Sequence, residues 1–323
     1  MNGALLRLIL SQVFLHTCMA GVRMAAPLWA LRQGFSVASV GVLLALFALT
    51  QVFFSIPAGR YTDRVGVRKP VSLGVVCASV GAGLAVAFPS FPVLCLSALM
   101  TGGATGLASI ALQRHVGRIA SNPVELRQLY SWFAIGPAIS NFIGPFTTGL
   151  LIDHAGFHWA FLAMALLPVL SWLFVRRTRE LPPVHVPEGA ARPRVWDLLH
   201  EPMLRRMLIV NWFLASCWDV HTFVVPVLGH ERGFSASAIG SILGAFAVAA
   251  AGIRILLPML AARISERAVI AGAMVITSGL FGIYPLLPTP WAMGLCSVGL
   301  GFALGSVQPM VMSLLHQMTP HNR

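Results

Sequence analysis

Charge is what this sequence has least of. Only 10% of its 323 residues are Asp, Glu, Lys or Arg, against roughly 25% in an ordinary soluble domain. With 57% of the chain hydrophobic, too little polar surface remains to cover a water-facing globule. Acidic residues are scarcer still, 10 against 22 basic ones. Cysteine is sparse and scattered: Cys18, Cys77, Cys95, Cys217 and Cys296 all fall inside apolar runs. No CxxC spacing or histidine cluster accompanies them, so neither a disulfide nor a metal site is expected, and the thiols read as small packing groups. No phosphate loop of the GxxxxGK type is present, which argues against a nucleotide-driven pump. No nucleophile–base constellation stands on a soluble scaffold. The chain is expected to be no enzyme and to carry no cofactor.

What is abundant is apolar length. A membrane-spanning helix needs about 20 mostly apolar residues. Ten such runs occur, near 5–29, 37–58, 70–88, 91–113, 130–152, 157–175, 204–228, 236–260, 268–287 and 290–315. They are apolar all round rather than alternating, which favours helices over a barrel. The expectation is an all-α membrane protein of ten transmembrane helices, a partner of the lipid bilayer.

The net charge of +12 first suggests a nucleic-acid partner, but its placement does not. Arg32 and Arg232 alone fall in loops on one side, and Arg23 and Arg254 fall within helices. Every other Lys and Arg shares the side of the N-terminus. This is the positive-inside pattern, which predicts a cytoplasmic N-terminus in a bacterial-type inner membrane. No nucleic acid is expected as a partner.

Sliding the chain along itself exposes a repeat at an offset of 199 residues. Cys18 meets Cys217, Pro27 meets Pro226, Gly34-Phe35-Ser36 meets Gly233-Phe234-Ser235, Gly102 meets Gly301 and Gly106 meets Gly305. Arg64 and Arg68 meet Arg263 and Arg267. The first run is therefore the twin of the seventh and not a signal peptide. The repeat implies two parallel copies of one unit: a six-helix repeat over 1–176, a linker over 177–203 and the first four helices of a second repeat over 204–323. The second copy is expected to be cut short by two helices. The linker, with its prolines and mixed charge, is expected on the cytoplasmic side, with a short surface helix at 195–200.

The loop GRYTDRVGVRK, residues 59–69, concentrates charge between two greasy runs. It carries Gly59, Asp63, Arg64, Gly66, Arg68 and Lys69 at set spacing. Physically, the cations hold the loop on the cytoplasmic side, Asp63 can make charge-assisted hydrogen bonds, and the glycines permit a tight turn. With this spacing, between the second and third helices, the chain resembles the major facilitator superfamily. The resemblance implies twelve helices working by alternating access. It also implies that Asp63 helps to anchor the two halves, in part against a helix that this chain does not contain. In the second repeat the pattern is degraded, with Pro258 and Ala262 at the positions of Gly59 and Asp63.

Asn141, Gly144, Pro145 and Gly149 resemble, in part, that family's Gly-Pro signature of proton-exchanging exporters. Ser140 stands in place of a first glycine, and Thr148 replaces one of the terminal pair. The basic residue expected midway along the fourth helix is absent; Arg114 sits at that helix's end. Paired glycines at 102/106, 240/244 and 301/305 have the spacing of close helix contacts.

Few polar groups lie at membrane depth, where each is costly and marks a cavity or a partner. Gln12, His16 and Arg23 share one face of the first helix. Asn211, Asp219 and His221 lie in the seventh, and Arg254 in the eighth. These seven are the candidate solute and proton cavity. Asp219 is expected to pair with Arg23 and to be the best proton carrier, with His221 or His16 as alternatives. His115, His154, His158 and His230 read as solvated. The expected function is export of a small organic solute in exchange for protons by a monomer. Uptake by symport, or a non-transporting sensor or assembly role, is the alternative.

Overall fold

The computed structural model describes residues 3–182, 202–260 and 266–318. Among the described residues the chain is helical with no strand: α1 (Gly3–Arg32), α2 (Val37–Val65), α3 (Arg68–Ala87), α4 (Phe91–Ile119), α5 (Pro123–Phe133), α6 (Ile135–Ala155), α7 (Phe157–Val175), α8 (Pro202–Glu231), α9 (Ala236–Leu260), α10 (Glu266–Ile283) and α11 (Pro290–Met318). Ten spans are long and apolar enough to cross a membrane, the number and order read from the sequence.

Two of the expected runs are interrupted, both at prolines, while α2 and α4 continue past their expected ends to Val65 and Ile119. The run at 130–152 is broken into α5 and α6 at Ala134. Pro137 has no N–H to give the carbonyl four residues earlier, that of Phe133, so the helix restarts there. The run at 268–287 leaves the α-helix at Ile283 and ends in a 3-10 turn, Tyr284–Leu286. Pro285 disfavours helical geometry at the residue before it. The expected surface helix at 195–200, and most of the 177–203 linker, lie outside the described residues.

The contacts cluster into two units. The first is Met1–Val184 with Val225–Gly244, and the second is His185–Val224 with Ala245–Arg323. In the first, α1 runs through the middle, packed on α6, α7 and α4. Ser11 and Ser171 share a buried hydrogen bond of 2.8 Å across α1 and α7. The side of α2 around Val52 and Phe53 is 70% exposed, as a lipid-facing helix surface should be.

The sequence repeat reappears in local geometry. α1 ends at Gly34, φ +82, with the Phe35 N–H donating to Ala30 O at 3.0 Å. α8 ends at Gly233, φ +69, with the Phe234 N–H donating to Gly229 O at 2.8 Å. Each is a Schellman turn, which needs a left-handed residue and so favours glycine. Ser36 and Ser235 then cap the next helices, accepting from the Ser39 and Ala238 N–H groups, each at 3.2 Å. The packing repeats too. A Cβ on Gly102 would overlap the carbonyl of Phe47, and one on Gly301 would overlap that of Phe246, 199 positions on. Glycine brings the two backbones into contact in each copy.

Candidate functional site

The charged loop is the junction of α2 and α3. α2 ends at Gly66, φ +83, whose N–H donates to Thr62 O at 2.9 Å. Asp63 lies in the last turn of α2, half-buried, and is ion-paired with Arg114 from near the end of α4. Gly59 is what admits Arg114: a Cβ there would stand 2.8 Å from a guanidinium nitrogen. Arg64, Arg68 and Lys69 are exposed.

A residue outside the sequence-stated set completes this junction. Glu180, just beyond α7, accepts from the Val67 N–H at 3.0 Å and the Arg68 N–H at 2.8 Å. It places a carboxylate at the N-terminus of α3, where unsatisfied amides and the helix dipole favour negative charge. A Cβ on Gly66 would collide with the same carboxylate. The stretch 176–182 ties down other helix ends as well. Arg7 of α1 donates to Arg177 O at 2.9 Å, Arg68 Nε to Thr178 O at 2.7 Å, and Arg118 of α4 to Pro182 O. The signal available in the sequence was the single acid in RRTRELPP, which the reading assigned to a linker.

On α1, Gln12 is buried, while His16 and Arg23 are half-buried. His16 lies beside Asn141 of α6, whose side chain acts on its imidazole. Gln12 faces the same helix, its carbonyl oxygen 3.0 Å from where a Gly136 Cβ would be. Ser140, the residue in place of a glycine, donates to Gly136 O at 2.9 Å and also lies 3.1 Å from Val13 O of α1. Gly144 lets α6 meet the α1 backbone, its absent Cβ 3.0 Å from Thr17 O. Pro145 and Gly149 are buried, and both face α9: Gly240 abuts the Pro145 carbonyl and Gly149 that of Ala236. Gln12 Oε1, His16 Nδ1, Thr17 Oγ1 and Thr148 Oγ1 are buried and have no hydrogen-bond partner among the described residues. Such atoms are uncommon in a packed core; others occur at Ser79 of α3, Ser97 of α4, His221 of α8 and Thr277 of α10.

In the second unit, Asp219 lies on an exposed face of α8 and Asn211 is half-buried. His221, two residues from Asp219 and so on the other side of the helix, is 1% exposed. It stacks on Phe246 at 4.1 Å between centroids. Its Nε2 pairs with Ser297 Oγ at 2.9 Å, and that hydroxyl pairs with Tyr284 Oη at 2.8 Å. Arg254, half-buried on α9, directs Nε at Gly305 O of α11, 3.4 Å away. Arg23 and Asp219 belong to different units.

One histidine reading is corrected. His115 is 6% exposed, not solvated, because α4 continues past 113 to Ile119 and carries it into the packed end of the bundle. His154 and His158 are exposed. No group of three or more metal-binding side chains occurs among the described residues.

The site therefore offers amide, imidazole and guanidinium groups at mid-helix depth, and a braced charged junction at the helix ends. That combination suits recognition of a polar solute and movement of helix ends. The sequence profile described as Major Facilitator Superfamily matches residues 8–323. The inner membrane transport protein YajR of Escherichia coli (strain K12) is 29% identical over 226 residues, 65% of this chain and 49% of that protein. This chain thus matches about half the length of that relative. The class B tetracycline resistance protein of Escherichia coli is 25% identical over 289 residues, 83% of this chain and 69% of that protein. A crystal structure of a POT family transporter, in complex with a thioalcohol-conjugated peptide, superposes with a TM-score of 0.80 at 14% identity, covering 98% of this chain and 84% of that one.

Proposed function

We infer, since this chain belongs to the major facilitator superfamily, that it serves secondary transport of a small organic solute across a membrane. The observation that carries the reading is the profile match over residues 8–323 together with the likeness to tetracycline resistance proteins. The chain is a multi-pass membrane protein. The cation distribution supports a cytoplasmic N-terminus in an inner membrane.

Direction and coupling rest on narrower ground. The resistance-type relatives and the partial Gly-Pro signature at Asn141, Gly144, Pro145 and Gly149 support export coupled to protons. Asp219 is the proposed proton carrier, because a carboxylate at membrane depth is costly to keep and marks a pathway or a partner. Gln12, His16 and Asn141 are the proposed solute contacts in the first unit. The unpaired buried atoms Gln12 Oε1 and His16 Nδ1 would gain partners from a polar solute, an interaction worth about 1–3 kcal/mol for each group otherwise left unsatisfied.

The test is accumulation of tetracycline, and separately of the cation ethidium, in cells stripped of their own exporters. Lower accumulation on expression, restored by a protonophore, is the expected result. Raised accumulation would indicate uptake, and unchanged accumulation of both probes would remove export of this solute class. In Asp219→Asn the protonophore effect should vanish; a variant that still exports in a pH-dependent way sinks the carrier assignment.

A further inference from the structure

At the end of the bundle where α1 finishes, Asp153 in the last turn of α6 reaches the start of α9. Its Oδ1 accepts from the Ala236 N–H at 3.0 Å and its Oδ2 from the Ser237 N–H at 2.7 Å. Ser235 Oγ accepts from the Ala238 N–H, and the Ile239 N–H already bonds Ser235 O. The first-turn amides that a helix leaves unsatisfied are thus divided between its own N-cap serine and a carboxylate from another helix. Negative charge is favoured there by the helix dipole. The charge of Arg32, the last residue of α1, acts on the same carboxylate, and Arg32 also lies over the Phe157 ring at 5.2 Å. Behind the carboxylate, α6 and α9 cross at backbone contact through Gly149 and Gly240. The hairpin Val225–Gly244 groups with the first unit, while the remainder of α8 and α9 groups with the second.

We propose that Asp153 is a latch that seats the 225–244 hairpin on α6, and that its release frees the hairpin end from the first unit. The glycine crossing provides fit without a directional bond. The carboxylate supplies two charge-assisted hydrogen bonds on an exposed residue, so the contact is strong enough to hold and accessible enough to break. The proposal goes beyond the transport reading and does not depend on which solute, if any, is carried.

Hydrogen exchange of the full chain in lipid nanodiscs tests it. In Asp153→Ala, exchange of the peptide spanning 233–244 should rise about fivefold or more, the size expected for losing a helix cap. Exchange of the peptide spanning 91–106 should stay as in the parent and report intact packing. Ala236→Pro removes one donor at the first helical position, where proline is tolerated, and should give a smaller rise in the same peptide. If Asp153→Ala does not yield folded protein, the isosteric Asp153→Asn carries the test. Parent-like exchange at 233–244 in the folded Asp153 variant overturns the latch.

Discussion

Arg114 closes the end of α4 onto Asp63 of α2, and it can do so because Gly59 leaves the surface of α2 bare beneath its guanidinium. The family resemblance pointed Asp63 across to the other half of the fold; in the structure its carboxylate is held within the first unit, by Arg114. Arg114→Gln should lower stability by at most about 1 kcal/mol, the usual worth of a partly exposed pair, read as a small shift in thermal unfolding in detergent. Gly59→Leu should reproduce that loss, because the side chain displaces the guanidinium. A Gly59→Leu protein as stable as the parent, with Arg114 intact, would contradict this geometry.

The two glycine seams allow a sharper comparison. Gly102→Ala and Gly301→Ala each drive a methyl into a backbone carbonyl that cannot swing away. Each should destabilise by about 1–3 kcal/mol, as overpacking does. Gly83→Ala and Gly279→Ala meet nothing within 4 Å and should be neutral or slightly stabilising, since alanine is the better helix former. Thermal unfolding followed by labelling of the native cysteines checks all four together.

Glu180→Ala strips the N-terminus of α3 of its carboxylate. The expected cost is about 1 kcal/mol, with faster amide exchange at Val67 and Arg68. Glu180→Gln should fall between parent and Glu180→Ala, because an amide oxygen can accept one of the two N–H bonds but brings no charge.

Ser297 sits between His221 and Tyr284, so its loss removes a hydrogen bond from each of two buried polar groups. Ser297→Ala should cost about 1–3 kcal/mol. Tyr284→Phe alone should cost less, since Ser297 still serves the imidazole. In the double variant the second change should add less than it does alone, the non-additivity expected of contacting residues. Strict additivity would mean that the three groups do not act together.

How much of this was legible in the sequence follows from where each signal resides. Helix number and span are carried by long local runs, and the repeat by Gly, Pro and charge positions that greasy segments do not match by chance. Hence the ten spans and the Gly34/Gly233 turns could be read directly. Glu180 could not, because its partners Val67 and Arg68 lie more than a hundred residues earlier and nothing local marks the pairing. His115 was misread because the apolar run stops before it while the helix does not. The join of His16 to Asn141 joins two features that were read separately, since helical periodicity places residues on a face but does not say which face meets it. Asp153, next to His154 at a helix end, looks like any solvated acid until α9 is in place.

The seam between Gly106 and residue 51 bears on how the two copies have drifted apart. In the first copy the neighbour of Gly106 is Gln51; in the second, the neighbour of Gly305 is Ala250. An amide side chain has become a methyl, yet the helices still meet at the same place. Where closeness is secured by a glycine on one helix, the facing residue on the other is left open to mutation. The two halves can acquire different polar linings while keeping one architecture, and a duplicated scaffold of this kind can take on new cargo without being rebuilt.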